Sequence, residues 1–145
     1  MTAFTTPVEV LPFPWKSDYT KSHLLIGSCF SESIGAQMEE LKFKTDINPF
    51  GILYNPLSIA DALERLITAI PFSQEELFRH NGLWHSYHHH GRFSGTDPVE
   101  TLIRINDALR TGSRYLKEAD FLLLTLGTAW VYELKSTGAL VANCH

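Results

Sequence analysis

Residues 121–127 read Phe121-Leu122-Leu123-Leu124-Thr125-Leu126-Gly127, which is the clearest strand in the chain. A strand that is apolar on both faces is typical of the centre of a parallel sheet with helices on both sides. A second buried strand is predicted at residues 23–26, which are apolar and end at Gly27, and a weaker one at residues 44–47. Together the three segments predict an α/β fold around a parallel sheet.

Helical signals alternate with these strands. Apolar side chains recur at helical spacing in residues 31–42. The Asn-Pro pair at residues 55–56 and the Asp-Pro pair at residues 97–98 each predict a capped helix start, and Gly112 is the predicted stop of the last helix. Residues 79–96 show no periodicity and predict a long loop, whereas two short runs at residues 130–142 predict a hairpin. This alternation favours an α/β sandwich.

Composition and charge exclude several classes of protein. The chain has 145 residues, 12 Lys and Arg against 16 Asp and Glu, and a net charge of −4, so it lacks the basic footprint of a nucleic-acid-binding protein. It has no apolar run long enough to cross a membrane and no secretory signal, and we expect no membrane partner. Its two cysteines, Cys29 and Cys144, are too few for a disulfide scaffold. We therefore expect a cytoplasmic protein.

The domain organisation predicted from the sequence is simple. Residues 1–22 are rich in Thr, Pro and Ser and predict an extended arm, and residues 23–145 predict one α/β domain. The chain stops directly after a predicted strand, and three sheet strands make a thin domain. We therefore expect that the fold is incomplete in this chain and that a C-terminal segment or a partner chain completes it.

Three predicted loops could carry chemistry, because ligands of open parallel sheets bind beyond the carboxyl ends of the strands. Residues 27–30, 48–51 and 127–130 each join a glycine to polar groups. The first loop places Ser28 and Cys29 at a helix N-terminus, which favours a thiolate or a developing oxyanion. Two interpretations stay open at this point: a nucleophile, or a turn serine beside a small buried cysteine.

Four motifs in order resemble the GSCFA family. The first reads Gly-Ser-Cys-Phe-Ser-Glu-Ser-Ile-Gly at residues 27–35, with serine at position 31 where the family has alanine. The others lie at residues 48–56, 84–94 and 119–132, so the resemblance covers nearly the whole chain beyond residue 10. The family is grouped with the SGNH/GDSL hydrolases. The resemblance therefore implies a flavodoxin-like α/β/α sandwich with a parallel sheet and a hydrolase of small-molecule or carbohydrate acyl esters.

The resemblance also implies roles for individual residues. Cys29 falls at the nucleophile position, and Ser28 takes that role if the alignment slides by one residue. The implied oxyanion hole combines Gly51 and Asn48 with Gly127 and Thr128, although Ala129 replaces the usual asparagine donor, for which Asn48 or Asn55 could substitute. The Asp-x-x-His block that supplies the base does not occur in the 145 residues. We therefore expect negligible esterase turnover from this chain alone, and we expect no cofactor.

Histidines crowd the predicted loop at residues 79–96. We interpret His85, His88, His90 and Arg92 as candidate substrate contacts, and metal binding is a weaker hypothesis because no second pair of ligands is evident. Five aromatic residues could form an aromatic wall, but packing in the core or in hairpin pairs is the more common use of such side chains; they are Trp84, Tyr87, Phe93, Trp130 and Tyr132.

Three functions follow from these observations. The first is an acyl-ester hydrolase of the GSCFA and SGNH type, with a Cys or Ser nucleophile at a strand-to-helix turn. The second is a catalytically inert α/β binding module that uses the same crevice. The third is a metal-binding domain built on the histidine-rich loop.

Overall fold

The structure is a computed structural model that describes residues 8–9 and 11–142. Three α-helices are present in this part of the chain: α1 (Cys29–Glu40), α2 (Pro56–Thr68) and α3 (Pro98–Glu118). Seven strands alternate with them: β1 (Ser22–Gly27), β2 (Lys44–Ile47), β3 (Leu77–His80), β4 (Leu83–Ser86), β5 (Phe121–Thr125), β6 (Tyr132–Glu133) and β7 (Leu140–Val141). Short 3-10 turns lie at Gln74–Glu76 and Gly91–Phe93.

The centre of the fold is a parallel sheet of three strands in the order β2, β1, β5. Alternate residues of β1 point to opposite faces, so Leu24 and Ile26 join the core beneath α2 and α3. Helix α1 packs against the sheet at Gly35, where a Cβ would lie 2.6 Å from the Ile47 side chain. The α/β class and the parallel sheet flanked by helices are confirmed, and the architecture is consistent with a flavodoxin-like fold.

Strand β5 lies at an edge of the sheet in the described part of the chain, so the predicted central position is wrong for these residues. Its register with β1 aligns Leu122 with Leu24 and Leu124 with Ile26. The two β1 residues are fully buried, whereas Leu122 and Leu124 are 44% and 45% exposed. Strand β5 therefore carries apolar side chains that its described neighbours leave exposed.

Two further predictions differ from the structure. Residues 79–96 are not one loop, because β3 and β4 form an antiparallel hairpin whose turn has Asn81 and Gly82 at φ +47° and +82°. Such left-handed pairs are typical of two-residue hairpin turns.

Helix α3 runs through Gly112 to Glu118, and a Cβ at Gly112 would lie 2.8 Å from both Leu66 and Pro49. Gly112 therefore permits close helix packing and does not stop the helix.

The predicted helix starts and the last hairpin are confirmed. The Asn55 side chain caps α2 by accepting from the Ser58 N–H at 2.8 Å, and Asp97 caps α3. Strands β6 and β7 form the predicted hairpin, although each is only two residues long. Among the described residues, no helix has the length and apolarity needed to cross a membrane.

Candidate active site

Glycines bring the ends of β1 and β5 into direct contact. Gly27 has φ +143°, and a Cβ there would lie 2.1 Å from the carbonyl oxygen of Thr125. A Cβ at Gly127 would lie 2.8 Å from the Tyr54 ring and 3.4 Å from the Ser28 Cβ. No other residue type fits these approaches without displacing the backbone or a ring. The loops that follow β1 and β5 therefore meet at the carboxyl edge of the sheet.

Ser28 and Cys29 occupy different environments at the start of α1. Ser28 is the N-cap residue, only 7% exposed, and its hydroxyl accepts a hydrogen bond from the Phe30 N–H at 3.3 Å. Cys29 is the first residue of the helix, and its side chain is a free thiol in an exposed residue. The serine hydroxyl thus caps the helix, whereas the cysteine is exposed at the helix N-terminus.

Thr125 at the end of β5 holds this turn in place. Its Oγ1 lies 3.0 Å from the Ser28 N–H nitrogen, 3.0 Å from the Ser28 Oγ and 2.7 Å from the Ser31 Oγ. A threonine hydroxyl can accept the amide hydrogen bond, accept from one serine hydroxyl and donate to the other, so all three contacts are chemically compatible. Thr125 therefore fixes the residues on both sides of Cys29, a role that no local sequence pattern indicates.

The backbone amides predicted for the oxyanion hole all donate within the protein. The Gly51 N–H donates to the Asn48 carbonyl at 2.7 Å. The N–H groups of Gly127 and Thr128 both donate to the Tyr54 carbonyl, at 2.8 and 3.1 Å. The amide of Cys29 differs, because the first N–H groups of a helix have no acceptor inside the helix.

Asn48 connects the loop at residues 48–51 to the turn between β1 and α1. It is fully buried with φ +48°, and its Oδ1 accepts from the Gly27 N–H at 2.8 Å. Its Nδ2 is also buried and has no hydrogen-bond partner among the described residues. The side chain of Asn55, the other proposed donor, is used in capping α2 through both of its polar atoms.

Arg92 lies beside the site but is engaged in internal contacts. Its Nη1 donates to the Glu32 carboxylate at 3.0 Å, one helical turn after Cys29, and its Nη2 donates to the Asn48 carbonyl at 2.6 Å. The guanidinium thus links α1 to the loop at residues 48–51. Its predicted contact with substrate stays a prediction.

The candidate histidines are spread over several environments. His85 Nδ1 lies 2.7 Å from the Ser94 hydroxyl, and His88 Nδ1 lies 2.8 Å from the Asp61 carboxylate. His90 is the one that borders a site loop, since a Cβ at Gly51 would lie 2.3 Å from its Cβ. Among residues 8–9 and 11–142, no three His, Cys, Asp or Glu side chains are close enough to hold a metal ion.

His89 is part of the core. It is 1% exposed, its ring centroid lies 4.6 Å from that of Phe50 and 4.8 Å from that of Phe72, and its Nδ1 lies 2.9 Å from the Ser86 hydroxyl. Burial, followed by the positive charges of His88 and Arg65, lowers the pKa of His89 from 6.5 to about 3. The folded protein therefore keeps this imidazole neutral.

Acid should destabilise the fold through His89. The pKa of His89 is lower in the folded state than in the unfolded chain, so stability is fully present above pH 6.5 and is lost as the pH falls toward about 3. The expected loss is about 1.4 kcal/mol per pH unit. We expect urea titrations of the His89→Asn variant between pH 6.5 and 4.5 to lack this slope. The His80→Asn variant, altered at an exposed position, should keep it; equal slopes in both variants would contradict the assignment.

The five predicted aromatic residues divide into two groups. Phe93 is buried, Trp84 packs against the core and Tyr87 stacks on Phe78 with ring centroids 4.0 Å apart, so packing is confirmed for these three. Trp130 and Tyr132 are instead 85% and 52% exposed and lie outside the core, although Tyr132 pairs with Val141 in the hairpin of β6 and β7.

The fold and the site together define a class of protein: an α/β protein whose parallel sheet presents glycine-containing loops and an exposed helix-terminal cysteine at its carboxyl edge. Residues 22–145 match the model of the GSCFA family, so the chain belongs to that family. No curated protein matches the chain. No solved structure matches it either.

Proposed function

We propose that this chain carries the acyl-transfer site of an ester hydrolase, with Cys29 as the nucleophile. The observation that carries the proposal is the contrast between neighbouring residues: the Ser28 hydroxyl is buried and bonded to Thr125 and Phe30, whereas Cys29 is exposed at the first position of α1. The grouping of the family with SGNH hydrolases agrees with an ester substrate.

The chemistry follows from this placement. The Cys29 thiolate attacks the ester carbonyl and forms a C–S bond, and the resulting oxyanion is stabilised by the Cys29 N–H and the N-terminus of α1. Collapse of the intermediate breaks the C–O bond, and the leaving alkoxide takes a proton from water. Water then hydrolyses the thioester, which releases the carboxylic acid and restores the thiol. A thiolate is partly populated near neutral pH, so acylation depends less on a base than it would with serine.

Acylation by p-nitrophenyl acetate tests the proposal. We expect one equivalent of p-nitrophenolate to be released in a burst, followed by slow turnover, with the acetyl group found on Cys29 by peptide mass spectrometry. The Cys29→Ala variant should lose the burst, and Ser28→Ala should retain it. Acetylation of Ser28, or a burst that survives Cys29→Ala, would refute Cys29 as the nucleophile.

An inert binding module is the second candidate function. The observation that favours it is that the amides of Gly51, Gly127 and Thr128 all donate to carbonyl groups of the protein. Losing one oxyanion donor typically costs about 10²–10³ in rate. If native protein is acetylated at Cys29 no faster than urea-unfolded protein, this second function becomes the better account.

A further inference from the structure

An aromatic groove adjoins the nucleophile turn. Its volume is about 510 Å³, within the usual range for small-molecule sites. Its described lining is uncharged: Tyr54, Asn55, Thr128, Trp130, Val131, Tyr132 and Ala142. Three aromatic side chains present their surfaces there, with Tyr54 41%, Tyr132 52% and Trp130 85% exposed. Exposed apolar surface that is contiguous in this way marks interaction sites and ligand-binding grooves.

The groove is rigidly joined to the candidate active site. The Tyr54 carbonyl accepts from the N–H groups of both Gly127 and Thr128, and the Tyr54 ring lies against Gly127. Gly127 in turn adjoins Ser28, the residue before Cys29. The Thr128 hydroxyl accepts from the Trp130 N–H at 3.1 Å and so fixes the turn that presents Trp130. The groove therefore adjoins, through Tyr54 and Gly127, the turn that carries Cys29.

The lining indicates the chemistry of the ligand. The absence of charge among the described lining residues favours a neutral ligand. Tyrosine and tryptophan suit ligands that are apolar on one side and hydrated on the other. Because the three rings are exposed, they would contact only one face of a ligand. A linear acyl chain is stabilised most when its whole apolar surface is removed from water, which needs a cavity that surrounds it. A sugar ring has an apolar C–H face and hydroxyl groups around its rim, which is the complementary shape.

We propose that this groove binds a neutral sugar ring that stacks on Trp130, so that the ester substrate is an acylated carbohydrate. Binding needs only the groove, but the identity of the substrate rests on the proposed function. Trp130 is the central contact because its ring is the most exposed of the three.

Ligand-observed saturation-transfer NMR tests the proposal without relying on tryptophan as a reporter. The probes are cellobiose, maltose and N,N′-diacetylchitobiose, with sodium octanoate as the acyl-chain probe. We expect saturable binding of at least one disaccharide and no binding of octanoate. Affinity should fall about tenfold or more in Trp130→Leu, as expected for a central aromatic contact.

The matched control is Trp15→Leu. Trp15 is similarly exposed, at 73%, but belongs to a different surface region, which includes Asp120 and Leu122 at the start of β5. This variant should bind the disaccharide as the unmodified chain does. Binding of no disaccharide, equal affinity in Trp130→Leu, or binding of octanoate in place of sugars would overturn the proposal.

The two proposals can fail separately. Disaccharide binding and acetylation of Cys29 are therefore measured separately on the unmodified chain. Acetylation of Cys29 without sugar binding would refute the proposed carbohydrate substrate and leave the proposed hydrolase function standing. Sugar binding without acetylation would leave a carbohydrate-binding groove beside an inert site.

Discussion

The Gly27→Ala variant is expected to lose much of the stability of the domain. A Cβ at this position would lie 2.1 Å from the Thr125 carbonyl oxygen, and φ +143° is unfavourable for any residue with a side chain. Backbone strain and steric overlap together should cost at least about 3 kcal/mol, against a typical total of about 5–15 kcal/mol. Urea unfolding followed by circular dichroism measures the loss.

The matched control for Gly27 is Gly82→Ala. Gly82 also has a positive φ, +82°, but nothing lies within 4 Å of a Cβ built there. Its substitution should cost only backbone strain, about 1 kcal/mol. If both variants lose the same amount of stability, the contact between β1 and β5 is not what requires glycine at position 27.

The Thr125→Val variant is expected to weaken both the fold and the site. It leaves the hydroxyls of Ser28 and Ser31 without their shared partner, which should cost about 1–3 kcal/mol, whereas the Ser28 N–H keeps the Thr125 carbonyl as an acceptor at 3.2 Å. The turn that carries Cys29 would also loosen. We therefore expect the burst of Cys29 acetylation to slow toward the rate of the unfolded chain, whereas Thr125→Ser should restore it.

Thr45→Val provides the comparison for Thr125. The Thr45 hydroxyl is buried in the neighbouring strand β2 and has no hydrogen-bond partner within the described part of the chain. Replacing it by a methyl group should therefore be neutral or slightly stabilising and should leave Cys29 acetylation unchanged. If Thr45→Val slows acetylation as much as Thr125→Val does, replacing any buried threonine in the sheet has this effect, and the contacts of Thr125 with the turn are not its cause.

Local sequence signals predicted most of the architecture. Asn55 and Asp97 cap helix N-termini as their residue types predict, and β1 and β5 occur where apolar runs end in glycine or polar loops. The hairpin of β3 and β4 was missed because its strands carry polar side chains and histidines. The Asn81-Gly82 pair was the available signal.

The features that were not predicted depend on tertiary structure. Gly112 resembles a helix stop in the sequence, and only the approach of Leu66 from α2 shows why the helix continues through it. Thr125 became important through the register of β5 with β1, which aligns it with Gly27. In the same way, the amides of Gly127 and Thr128 are engaged because Tyr54, more than 70 positions earlier, directs its carbonyl toward them.

The central claim is that the turn between β1 and α1 activates Cys29, and alkylation by iodoacetamide tests it most directly. The rate at Cys29 is measured at neutral pH by peptide mass spectrometry in native and urea-unfolded protein, with glutathione as the reference in each solvent. Cys29 is exposed at the N-terminus of α1, which favours negative charge, so native Cys29 should react faster than Cys29 of the unfolded chain. A native rate equal to or below the unfolded rate would contradict the claim and leave the cysteine as an unactivated surface thiol.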